Sequence, residues 1–173
     1  MSYNPAKHHR RTIRMPGHDY SAGAYFVTLV THNRAELFGV IKNGVVTLSA
    51  YGQIAHDEWL RSVHIRSEIE QDAFVVMPNH IHMIIVLLGS NLAPEQAATK
   101  VDHKIRRVPK SLGSVLAGYK ASVTSKINEF RKTPGEPIWQ RNYHEHFIRD
   151  DRERNAIRTY ITNNPTKWSL DHP

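Results

Sequence analysis

Two histidines, His80 and His82, stand two apart in the run HIHMIIVLL. On a β-strand that spacing sends both imidazoles to one face, while Ile81, Met83 and Ile85 take the other. Two imidazoles side by side on a rigid strand can share one metal ion. Spacing alone says little: with 12 histidines in 173 residues, chance supplies roughly one such pair, and the chain has a second at His144 and His146. Context separates the first pair, because His80 and His82 are the polar residues of an otherwise apolar strand. Burying two imidazoles there is costly unless they are partnered. The alternative is a pair of satisfied structural histidines.

Near the other end, NAIRTYITNNP carries Tyr160 and, four residues on, Asn164. On a helix these share a face. A phenol is a nucleophile and an amide carbonyl is an oxygen ligand, so the two could complete a site begun by His80 and His82. Equally, Tyr160 could pack with Ile157 and Ile161, with Asn164 capping the helix before Pro165. Two other tyrosines compete. Tyr119 is followed four residues later by Val123, which cannot bind a metal, and Tyr143 adjoins His144.

The elements that must hold these residues follow from periodicity and turn chemistry. Residues 24–32 (AYFVTLVTH) read as a buried strand, and Asn43-Gly44 between apolar runs signals a two-residue hairpin. Ser49 caps a helix reaching Arg66, with Ile54, Trp59, Leu60 and Val63 as its buried stripe. Residues 70–77 form a strand, Pro78-Asn79 turns the chain, and residues 80–88 form another. Residues 89–109 read as a polar surface connection. Ser111 opens a helix to Arg131 with Leu112, Val115, Leu116, Val123 and Ile127 inward, ended by Thr133-Pro134-Gly135. Residues 143–149 make a short strand, and Asp150 or Asp151 caps a last helix that stops at Asn164, ahead of Pro165. This order predicts an α+β fold of the ferredoxin-like, split βαβ plan: a mostly antiparallel sheet with helices on one face.

Length suits one domain, here residues 20–168, after a basic leader at 1–19 and before a short tail at 169–173. No long apolar run offers a membrane span and no secretory leader is present. Cysteine is absent, which removes disulfides, thiolate metal sites and cysteine nucleophiles, and the expected compartment is the cytoplasm. The net charge of +7 is concentrated. Lys7, Arg10, Arg11 and Arg14 meet no acid in the leader, and Lys100, Lys104, Arg106, Arg107 and Lys110 face only Asp102 within 100–110. Such clusters on a near-neutral body suit a polyanion. A solvated basic surface is the plainer reading.

Three blocks, in order, resemble the single-tyrosine HUH transposases, and in particular their REP-associated tyrosine transposase branch: YSAGAYFVTLVTHNRAELFG, VVMPNHIHMIIVL, and IWQRNYHEHFIRD followed by IRTYITNNPTKW. The resemblance spans residues 20–168 and implies the same ferredoxin-like fold. It implies that His80 and His82 are metal ligands, Tyr160 the nucleophile and Asn164 the helix-borne third ligand. Insertion-sequence members tend to carry glutamine near that last position, whereas asparagine matches the REP-associated branch. The implied ion is Mg²⁺ or Mn²⁺, with zinc also compatible with histidine. The implied substrate is single-stranded DNA flanking a hairpin, cut through a 5′-phosphotyrosine. Lys7, Arg10, Arg11, Arg14, Lys104, Arg106, Arg107, Lys110, Lys120 and Lys126 are expected to track its phosphates. The protein is expected to act as a monomer or homodimer. Two readings compete: an idle nucleic-acid-binding module, and a metal-dependent phosphodiesterase that uses water as nucleophile.

Overall fold

Burial alternates along Ala22–Val30, so that Tyr25, Val27 and Leu29 are buried while their neighbours are partly covered, and this period of two makes β1 a sheet strand. The computed structural model describes residues 20–89 and 110–171. After β1 come the hairpin β2 (Gly39–Lys42) and β3 (Val45–Leu48), α1 (Ala50–Ile65), β4 (Ile69–Met77), β5 (His80–Leu88), α2 (Leu112–Arg131), β6 (His144–Ile148) and α3 (Asp151–Asp171). The main sheet runs β4-β5-β1-β6 with every pairing antiparallel. This is the α+β, ferredoxin-like arrangement that the order of elements predicts. The leader, residues 90–109 and the last two residues lie outside the described residues.

The two faces of the sheet do different work. Tyr25, Val27 and Leu29 of β1 and Ile81, Met83, Ile85 and Leu87 of β5 join Trp59 of α1 and Leu112, Val115, Leu116, Val123 and Ile127 of α2 in the main core. So the two helices of the split βαβ plan share one face. Helix α3 is additional to that plan and lies on the other face, where Ile157 and Ile161 pack with Ile84 of β5 and Ile148 of β6. His80 and His82 alternate with the core residues of β5 and therefore face the α3 side.

Local chemistry explains the joints. Asn43 (φ 53°) and Gly44 (φ 73°) make a turn with both central residues left-handed, the geometry that suits a two-residue hairpin. Ser49 accepts a bond from the Gly52 amide at 3.1 Å and so caps α1. Ser111 and Asp150 do the same at the starts of α2 and α3, accepting from Ser114 at 3.3 Å and Glu153 at 2.8 Å. In β4, Asp72 and Ala73 together stand opposite Ile84, a β-bulge between the pairs Gln71–Ile85 and Phe74–Met83.

Two expectations are corrected. The buried face of α1 is Gly52, Ala55, Glu58, Trp59 and Ser62, while Leu60 is 43% exposed and Ile54 and Val63 are only partly covered. A Cβ on Gly52 would come within 1.9 Å of the Phe38 carbonyl oxygen, so the helix approaches backbone through its small residues. Glu58 can turn inward because Lys126, Ser122 and Arg61 satisfy its carboxylate. Second, α3 does not stop at Asn164 but continues through Pro165. Proline removes one intrahelical bond, to the Ile161 carbonyl. Contacts beyond it hold the helix: Thr166 lies against Gly44 of the hairpin, and the Trp168 ring sits 5.8 Å from that of His80. Among the described residues no helix is long and apolar enough to cross a membrane.

Candidate active site

The central pairings of the sheet build the site from the bottom. Thr28 of β1 stands opposite His82 on one side and opposite His144 on the other, and Val30 stands opposite His80. The Nε2 atoms of His80 and His82 converge to 3.1 Å. Their other nitrogens are occupied, since His80 Nδ1 bonds Asn79 Oδ1 at 2.7 Å and His82 Nδ1 bonds Thr28 Oγ1 at 2.9 Å. With Nδ1–H donating to each oxygen, both Nε2 atoms keep a lone pair free to ligate a metal. Burial pushes His80 down to about 4, with the charge of Arg34 adding to it. Burial, then His80 and His144, pushes His82 down to about 3. Both imidazoles are therefore neutral at pH 7, the state that ligates metal.

Helix α3 closes the site from above. The Tyr160 hydroxyl is 3.4 Å from His82 Nε2, the two rings are 5.3 Å apart, and Phe26 meets the Tyr160 ring edge-on at 6.0 Å. Lys167 sits 5.7 Å over the same ring. The Tyr160 residue is 41% exposed. Tyr160 and Trp168 are two helical turns apart and each touches one histidine. Asn164 lies on the turn between them with its side chain buried, on the face directed to the sheet.

The two imidazole nitrogens are spaced as two ligands of one divalent ion would be. Two nitrogens each bound at ~2.1 Å and at right angles about a metal stand roughly 3 Å apart, close to the observed spacing. Among the described residues no group of three or more His, Cys, Asp or Glu side chains could hold a metal, so any third protein ligand here would be of another type.

The site is assembled within one chain. His80, His82 and Tyr160 lie together, Asn164 is buried one helical turn beyond Tyr160, and the rival tyrosines do not join them. Tyr119 is buried, donates its hydroxyl to the Ala55 carbonyl at 2.8 Å and has its pKa raised well above the ordinary value by burial and Glu58. Tyr143 packs against the main core. His146 bonds Glu153 at 2.8 Å, tying β6 to the first turn of α3, while His144 is exposed. Of the basic residues, Lys7, Arg10, Arg11, Arg14, Lys104, Arg106 and Arg107 lie outside the described residues. Lys110 is exposed just before α2. Lys120 donates to the Gln140 carbonyl at 2.7 Å, and burial lowers its pKa to about 8. Lys126 pairs with Glu58. Lys120 and Lys126 thus serve the fold on α2, across the sheet from Tyr160. Sequence reading missed Thr28, Asn79, Phe26 and Trp168. Asn79 adjoins His80 and Trp168 repeats the helical spacing from Tyr160, so both carried a signal, but Thr28 enters only through strand pairing.

No family model matches the chain. An "Uncharacterized protein" of Haemophilus influenzae (strain Rd) is 36% identical over 175 residues, covering 98% of this chain and 95% of that one. Among solved structures, a REP-associated tyrosine transposase bound to a REP hairpin superposes with a TM-score of 0.61 at 20% identity, over 90% of this chain and 74% of that one. Identity that low speaks for a shared fold. The identity to the Haemophilus protein runs the length of both chains, and this protein belongs to the same family as that one.

Proposed function

We propose that this protein is a metal-dependent enzyme of transposase type that cuts and rejoins single-stranded DNA beside hairpins, with residues 20–168 as its catalytic unit. The observation that carries this reading is the approach of the Tyr160 hydroxyl to within 3.4 Å of one of two converging, neutral imidazoles. The fold shared with a hairpin-bound tyrosine transposase supports it. His80, His82 and Asn164 would hold Mg²⁺ or Mn²⁺. When bound, the ion supplies positive charge for the scissile phosphate and for the charge that builds on its oxygens.

The chain's own residues do the rest. Thr28 and Asn79 keep both imidazoles turned with Nε2 toward each other, where they would hold the ion. Phe26 and Lys167 hold the Tyr160 ring from edge and face, so that its oxygen points into the site. Tyr160 Oη attacks phosphorus, the bond to the 3′ oxygen breaks, the phenolic proton passes to solvent, and the departing oxygen takes one up. The products are a 5′-phosphotyrosine and a free 3′-hydroxyl. A phenol of pKa about 10 leaves more readily than an alkoxide, so the 3′-hydroxyl of another strand reverses the step without ATP.

Covalent capture tests this. Labelled hairpin oligonucleotides with single-stranded flanks, drawn from the gene's own surroundings, are incubated with Mn²⁺ and resolved on a denaturing gel. The wild-type protein forms a metal-dependent adduct. Tyr160→Phe and the double variant His80→Ala/His82→Ala form none. Cleavage that survives Tyr160→Phe without an adduct would assign the chemistry to water instead, and hairpin binding without cleavage would assign a binding module.

A further inference from the structure

The bulge in β4 turns the Asp72 carboxylate toward α3, where it is 8% exposed and meets two guanidinium groups. Arg154 Nε donates to Oδ2 at 2.5 Å, while Arg158 donates to Oδ1 through Nε at 2.6 Å and to Oδ2 through Nη2 at 2.8 Å. The Arg158 contact is bidentate, the strongest form of this interaction. Arg158 is further steadied by Asn155, which accepts from its Nη1 at 2.8 Å. Burial disfavours the Asp72 anion, yet the two arginines outweigh that and hold its pKa below the usual value. Elsewhere α3 is held by Thr166 against the hairpin, by the Trp168 ring beside His80, and by a polar cluster and a small apolar contact nearer its start. Its first turn is tied to β6 by an exposed cluster of Arg149, Glu153 and His146, and exposed pairs contribute little. Its apolar contacts with the sheet are Ile157 and Ile161, together with the Tyr160 ring against Phe26.

We infer that Asp72 is a positioning residue: through Arg154 and Arg158 it latches α3 against the sheet and so sets where Tyr160 stands relative to His82. Arg158 lies two residues before Tyr160, so a shift of the latch is passed to the hydroxyl within one helical turn. The inference rests on the proposed role of Tyr160 for its catalytic half, but the latch itself is a property of the fold.

The test pairs a structural readout with a kinetic one. Amide hydrogen exchange is followed in α3 (residues 155–165) and, as a control, in α1, α2 and β5, for wild type, Asp72→Asn, Asp72→Glu and Arg158→Gln. Single-turnover adduct formation is measured with the same variants at saturating labelled hairpin DNA, alongside the Kd of that DNA. Asp72→Asn is expected to speed α3 exchange about 10-fold with the controls unchanged. It is expected to slow adduct formation about 10- to 100-fold with DNA affinity within about 2-fold, because a displacement of about 1 Å is costly for positioning. Asp72→Glu should recover part of both. Should Asp72→Asn fail to fold, Arg158→Gln carries the same comparison, since it removes one arm and leaves the carboxylate paired to Arg154. Unchanged α3 exchange would overturn the latch, and a slowing that only tracks weaker DNA binding would overturn its role in positioning. If wild type forms no adduct with any hairpin, the Tyr160 chemistry falls and the exchange rates alone decide the latch.

Discussion

Replacing Thr28 by valine keeps the side chain's shape and removes the hydroxyl that meets His82 Nδ1. Replacing Asn79 by alanine removes the amide oxygen that meets His80 Nδ1. If the pair holds a divalent ion, each change should lower Mn²⁺ affinity about 10-fold or more, because the outer bond fixes ring orientation and tautomer. Mn²⁺ titration followed by electron paramagnetic resonance of the free ion checks this. Unaltered affinity in both variants would argue that the ion binds elsewhere or that the rings need no such support. A strand's period of two and a helix's return after four made His80, His82, Tyr160 and Asn164 candidates, but structural readings stood equally until the family resemblance set these residues apart. Thr28 was not among them. It lies 54 residues from His82 and acquires its role only when β1 and β5 pair in one particular register.

Elements that make their own turns and caps were read well. The Asn43-Gly44 hairpin, the Ser49 and Ser111 caps and all nine residues of β5 follow from local rules. The buried face of α1 did not, since apolar periodicity favoured Leu60 and gave no hint that Glu58 would find partners on α2. The span of α3 also escaped, because proline's local preference was overridden by contacts with the hairpin and with His80. Gly52 states the α1 case sharply. Gly52→Ala should destabilise the protein by about 1–3 kcal/mol, since the obstruction is the Phe38 backbone carbonyl, which yields poorly. Urea unfolding measures it, and a neutral result would show that α1 can shift outward freely.

For the molecule as a whole, Tyr160 and the His80 and His82 imidazoles meet within one chain. Mixing Tyr160→Phe with His80→Ala/His82→Ala should therefore restore no adduct, whereas a site shared between subunits would regain up to about a quarter of wild-type yield from mixed dimers. Stability should carry a matching acid signature. Asp72 has a folded pKa below its ordinary 3.8, so its ion pairs stabilise fully above that value and are lost as pH falls through the lower folded value. The difference in urea midpoint between wild type and Asp72→Asn should be constant near neutrality and shrink below pH 3.8. A gap that persists into strong acid would mean the variant is harmed by something other than lost charge. The bulge that presents Asp72 has an implication for descent. Gln71 and Phe74 face the α1–α2 side, with two residues between them where a regular strand has one. Losing one codon there leaves every flanking side chain on its proper face, and gaining one creates the bulge. A sheet of this plan can thus acquire or shed its grip on α3 in one mutational step, with the rest of the fold passed on intact.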